Sequence, residues 1–183
     1  VDGPADKTIG SGTAFNPALK VSLTAGAKTV KVTSLTVAKS GYLANSNLNG
    51  VDLVDSKGVR HGNVISSVGA DNTILLTFPT DPVVIAAGQT ETLTVRFNLA
   101  SGSYTGTVVL VLQSVSSVGA DTSAISGAFP ISGATLNVVN GSSALAGVTL
   151  DVLTSTGSST LNVDAASEQE MTCLLYTSPS PRD

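Results

Sequence analysis

The only histidine, His61, stands in the stretch GVRHGN. Nucleophilic catalysis through an imidazole needs a nucleophile beside it, and a histidine metal site needs further ligands. The chain has no second histidine, and the G-x-S-x-G pattern that presents a hydrolytic serine is absent. His61 is therefore expected as a solvated strand residue at a hairpin edge.

The carboxylates offer a second chemistry. Asp71 and Asp121 each close a copy of SSVGAD, at 66–71 and 116–121, and each copy is followed by Phe-Pro, at Phe78–Pro79 and Phe129–Pro130. One reading makes these two similar corners, with Gly supplying the turn and Asp bonding its own backbone. The other puts both aspartates at one end of the fold, where they help to bind Ca²⁺. Calcium takes about six to eight oxygen ligands, and no dense Asp/Asn ladder is present. Asp52 and Asp55, with Asn45, Asn47 and Asn49, form a second candidate calcium set, although NSNLNG also reads as a turn-rich loop. Paired carboxylates could serve glycoside hydrolysis. With no Trp and three Tyr, however, little is left to stack against a sugar. The expectation is a protein that is not an enzyme, with no catalytic or cofactor-binding residue and calcium as the metal to consider.

The elements that would carry these residues are strands. Hydrophobic residues make up 42% of the 183 residues and charged ones only 12%. Mean hydropathy is +0.31. That composition supports a packed core and argues against disorder. Net charge is −4, and the nine Lys and Arg are scattered, so nucleic acid has no electrostatic footprint to follow. The longest apolar run, Val108–Leu112, is far short of a membrane span.

Ser, Thr, Val and Gly disfavour helix interiors. Period-2 alternation is plain at Leu19/Val21/Leu23, at Ile74/Leu76/Phe78 and at Leu93/Val95/Phe97/Leu99, each set reading as one buried face. Strands are expected at Leu19–Thr24, Val30–Val37, Val51–Val54, Val59–Ile65, Thr73–Phe78, Glu91–Leu99, Thr107–Val115 and Ala134–Val139. In TVKVTSLTV (29–37), Val30 and Val32 have one parity and Leu35 and Val37 the other. Keeping one face buried there requires a bulge near Thr33–Ser34, or a strand that changes sheets. TVVLVLQSV (107–115) is apolar on both parities, as in a central strand covered on both sides or packed on a neighbouring module. The frequent turn residues between these runs point to an all-β sandwich with Greek-key connections and about seven to eight strands.

VIAAGQTETLTVRFNL (84–99) and GAFPISGATLNVV (127–139) resemble signatures of the immunoglobulin-like repeat modules found in long S-layer- or adhesin-type surface proteins of uncultivated candidate-phyla bacteria. Ile85, Ala87, Gly88, Thr90, Thr92, Leu93, Thr94 and Val95 match the first signature, and Gly127, Phe129, Pro130, Ser132 and Gly133 the second. Departures are Ala134 where Asn is common, Leu136 where Met is common and Val54 where Tyr is usual. The resemblance covers about Ala14 to Val139 and implies packing and an extracellular setting rather than chemistry.

On this reading residues 1–13 are a linker from a preceding region and 14–139 an Ig-like sandwich. Residues 140–147 are a linker, and 148–172 begin a truncated second module. Cys173–Asp183 (CLLYTSPSPRD) resembles a translated sequencing adapter and breaks the texture of the chain. Asn140-Gly141-Ser142 matches the N-glycosylation pattern. The expected role is that of a structural or adhesive module of a secreted or cell-surface protein. Its partners would be neighbouring modules, surface glycans or other surface proteins, with no nucleic acid and no membrane insertion. The alternatives are a glycan- or calcium-binding module, or a filament subunit that adds residues 148–163 to a neighbour's sheet.

Overall fold

The structure is a computed structural model and describes residues 4–141, together with the backbone of Thr149–Thr154 and Gly157–Asn162. The chain divides into two compact units, Val1–Ala144 and Leu145–Asp183. The expectations for the linker beyond Gly141, for the remainder of a second module and for Cys173–Asp183 lie outside the described residues.

The first unit is an all-β sandwich. Its strands are β1 (Lys7–Gly10), β2 (Asn16–Thr24), β3 (Val30–Ser40), β4 (Leu48–Val54), β5 (Arg60–Ile65), β6 (Thr73–Thr77), β7 (Val83–Ile85), β8 (Thr90–Leu99), β9 (Gly106–Leu112), β10 (Val118–Ala120), β11 (Ile131–Ser132) and β12 (Leu136–Val139). One sheet has four strands in the order β2-β8-β4-β5, and the other has eight, with β3 at its centre. In the second unit β13 (Thr149–Thr154) and β14 (Gly157–Asn162) form an antiparallel pair.

The alternating residues build the core. Leu19, Val21, Leu93, Val95, Phe97, Val51 and Leu53 face inward from the small sheet. Val32, Leu35, Val37, Ile74, Leu76, Phe78, Val108, Leu110 and Leu136 meet them from the large one. Each such side chain gains about 1.5–3 kcal/mol by leaving water, which chain entropy largely offsets.

The parity switch in β3 is resolved as a bulge. Opposite β10 the register passes from Gly119↔Ser34 to Ala120↔Val32, so Thr33 has no opposite number. The same residue marks a change of partner on the other edge, where β7 pairs with Val30–Val32 and β6 with Ser34–Ala38. The Thr33 carbonyl accepts instead from Phe78 N–H at 2.8 Å. One inserted residue thus keeps Val32 and Leu35 on the same inner face.

The four short strands β1, β7, β10 and β11 add to the eight expected from the pattern. Each has only two to four residues and is held by its pairing with a neighbouring strand. β1 lies within the residues read as a linker, and it pairs in parallel with β12, from Lys7↔Leu136 to Gly10↔Val139. β9 ends at Leu112 rather than continuing to Val115. Val115–Ser117 form a 3-10 turn, which Ser114 enters by donating its N–H to Ser117 Oγ. β9 is central, with Val109 and Val111 on its outer face half-buried.

Candidate functional site

The four candidate calcium aspartates are each occupied locally. Asp71 Oδ1 accepts from Thr73 N–H at 3.2 Å, and both its oxygens accept from Thr73 Oγ1 at 2.8 Å. The Thr73 hydroxyl, then its amide, hold this carboxyl below the usual range. Asp121 behaves differently. Its Oδ1 accepts from Lys31 N–H at 3.0 Å while its own N–H donates to the Lys31 carbonyl. The two SSVGAD copies are therefore not equivalent corners. The first closes a local turn, whereas the second puts Gly119 in β10 and ties Asp121 across the sheet to the start of β3.

Asp55 caps the β4–β5 turn, where Oδ1 accepts from Lys57 and Val59 N–H at 2.9 and 2.8 Å. Burial pushes its carboxyl up, but the Val59 and Lys57 amides and His61 outweigh this and hold it below the ordinary value. Asp52 sits on the outer side of β4, only 5% exposed. Its two oxygens accept from Arg96 Nε at 3.0 Å and Nη2 at 2.5 Å. That hydrogen-bonded pairing raises the Arg96 guanidinium above its ordinary value. Among the described residues no group of three His, Cys, Asp or Glu is placed to hold a metal.

His61 is not the solvated residue its hairpin position predicts, since its side chain is only 11% exposed. The imidazole lies between the two sheets, with its ring 6.1 Å from that of Phe78. Nδ1 is 2.9 Å from the Asp81 carbonyl and 3.2 Å from Asp81 Oδ2. Nε2 is buried with no hydrogen-bond partner, 3.6 Å from Asp55 Oδ2. The β6–β7 loop supplies Asp81 to this contact. Among the described residues no serine or threonine hydroxyl hydrogen-bonds the ring.

A half-open cleft of about 650 Å³ lies at one end of the sandwich, between the end of β2, the β2–β3 turn and β10. Leu23, Val30, Val32, Ile85, Val118 and Ile125 form its apolar lining, and Lys28 is its one ionisable residue. No carboxylate or imidazole lines it among the described residues.

The outer face of the small sheet carries a group that sequence reasoning missed. Phe15 precedes β2 with its side chain exposed, and Arg96 lies over its ring, Cζ to centroid 5.0 Å. Its φ is +54°, a left-handed conformation that a bulky residue rarely takes. The Asn98 side chain holds it there by accepting from Phe15 N–H at 2.7 Å. The neighbouring Asn16 is buried and donates to the Thr13 and Phe97 carbonyls. The available sequence signal was a phenylalanine outside any alternation, next to Asn-Pro. Asn140, of the glycosylation triplet, donates to Ser103 Oγ at 2.8 Å.

Among the described residues, the fold is that of an all-β sandwich whose aspartates serve turns, strand ties and the half-buried Asp52–Arg96 ion pair. No known protein family matches the chain, and no curated protein matches it.

Proposed function

We propose that residues 4–141 form an Ig-like structural module of a multidomain secreted or cell-surface bacterial protein, a non-enzymatic spacer that carries load along the chain. Its partners are neighbouring modules of the same chain. The signatures at Ile85–Val95 and Gly127–Gly133 support the family likeness.

The observation that carries the reading is the parallel pairing of β1 with β12. Tension applied through the chain before Lys7 and after Val139 pulls two parallel neighbours past each other. All of their mutual hydrogen bonds are then loaded together, instead of one at a time as in peeling. The clamp is reinforced at both ends. Thr135 N–H donates to Asp6 Oδ1 at 2.6 Å, Ser11 N–H to the Val139 carbonyl at 2.9 Å, and Gly141 N–H to Ser11 Oγ at 2.8 Å. Ile9 anchors β1 in the core.

The test is single-molecule pulling of the full chain between two marker domains. Ile9→Pro, which removes an amide donor and the core anchor from β1, should lower the unfolding force of the first unit well below wild type. Ile9→Ala, which keeps the amide, should fall between the two. An unchanged force in the proline variant would sink the load-bearing role.

A further inference from the structure

We propose that the outer face of the four-stranded sheet around Phe15 is a binding site for a neutral polysaccharide, with one pyranose ring stacked on the free face of Phe15.

Four observations converge on this patch. First, Phe15 is 59% exposed, yet its backbone is held in a strained conformation by Asn98 on one side and the buried Asn16 on the other. Such strain persists only where the surroundings impose it, and it gathers at ligand-binding positions. An aromatic ring fixed in this way loses little freedom when a ligand stacks on it.

Second, the guanidinium of Arg96 covers one face of the ring, leaving the other to solvent. The π face carries partial negative charge, which suits the weakly positive C–H groups on one side of a pyranose. Third, Arg96 Nη1 and Asn98 Nδ2 donate to no protein acceptor among the described residues, while Nε and Nη2 of Arg96 and Oδ1 of Asn98 are engaged. Two donors beside a stacking platform match the hydroxyl and ring oxygens of a sugar.

Fourth, the ion pair in the patch is balanced within itself, Asp52 against Arg96, and the exposed Lys20 on β2 is a further charge beside it. Asn98 and Val64 lie over Gly50, where an added Cβ would stand 2.9 Å from Nδ2 and 3.0 Å from Val64 Cγ1. Along the same face, beyond Lys20, hydroxyl pairs continue the strip, Ser22 with Thr92 and Thr24 with Thr90. A stacking ring, two donors and a row of paired hydroxyls suit an extended chain of sugars.

The experiment titrates the ¹⁵N-labelled full chain with cellohexaose, chitohexaose and maltohexaose, with an alginate hexamer as the charged control. At least one neutral probe should bind saturably and shift the Phe15 amide, the Arg96 Nε–H and the Asn98 side-chain amide. Phe15→Ala should weaken that binding about two- to tenfold, the scale of one aromatic stack, without lowering the melting temperature. Asn98→Asp keeps the acceptor for Phe15 N–H and removes the donor, so it should weaken binding with the platform intact. The proposal is overturned if no neutral probe binds, if alginate binds more tightly, or if binding survives Phe15→Ala and Asn98→Asp unchanged. Shifts confined to the end cleft would also overturn it.

Discussion

Removing either partner of the Arg96–Asp52 pair should have unequal consequences. Unit charges about 4 Å apart attract by about 4 kcal/mol at an effective dielectric of about 20, and desolvation returns much of that. The balance depends on which charge is left behind. Asp52 is 6% exposed at its side chain and Arg96 25%. An unpaired Arg96 can swing its head into water along its own stem, whereas an unpaired Asp52 stays enclosed. Arg96→Met keeps the stem and strands the carboxylate, which should cost about 3 kcal/mol. Asp52→Asn keeps an acceptor for Arg96 and should cost about 1 kcal/mol.

At about 4 °C per kcal/mol for a domain of this size, melting temperature should fall by about 12 °C in the first variant and about 4 °C in the second. The double variant should be more stable than Arg96→Met alone, because no charge remains buried. Thermal and urea denaturation of the full chain, arranged as a double-mutant cycle, measures all three. A larger loss for Asp52→Asn than for Arg96→Met, or strict additivity, would refute the argument from unequal burial.

Other predictions follow from single positions. Gly41 has φ +96° and its absent Cβ would collide with the Thr107 carbonyl, so Gly41→Ala should destabilise by about 2 kcal/mol or more in urea melts. Burial lowers the Lys39 ammonium below its ordinary value. The unfolded chain then binds more protons between the two values, so wild-type stability should rise with pH toward about 10.4. Lys39→Met should melt higher at neutral pH and lose that slope, and a variant that melts lower would refute the account. Glu91, drawn down chiefly by Ser56, shares its lowered position with Asp55 and Asp71. Their stabilisation is complete above the ordinary carboxylate values of about 4 and is lost as pH falls through the lower folded values. Melting temperature should drop in that acid range, and Asp55→Asn should flatten the drop.

Wherever a residue's role is settled by its close neighbours in sequence, it was legible. Alternating and apolar runs between turn residues located eight of the twelve strands described in the first unit, and the change of parity at Thr33 foretold the bulge. Asp71 and Asp55 bond amides two and four residues ahead, as turn aspartates do. The short strands escaped because their stability comes from a partner rather than from their own pattern. β1 exists because β12 lies beside it, and each residue of β1 is paired with one 129 positions further along the chain.

Sequence alone thus determined the β class, the core and most turns, because hydrophobic alternation and turn propensity act over a few residues. Only the tertiary structure decided which polar groups became significant. His61 and Asp81 are 20 residues apart, Asp52 and Arg96 44, and Phe15 and Asn98 83. Nothing local distinguishes these residues from their neighbours. Burial, pairing and strain arise only when the two sheets fold together and bring distant charges and amides within reach.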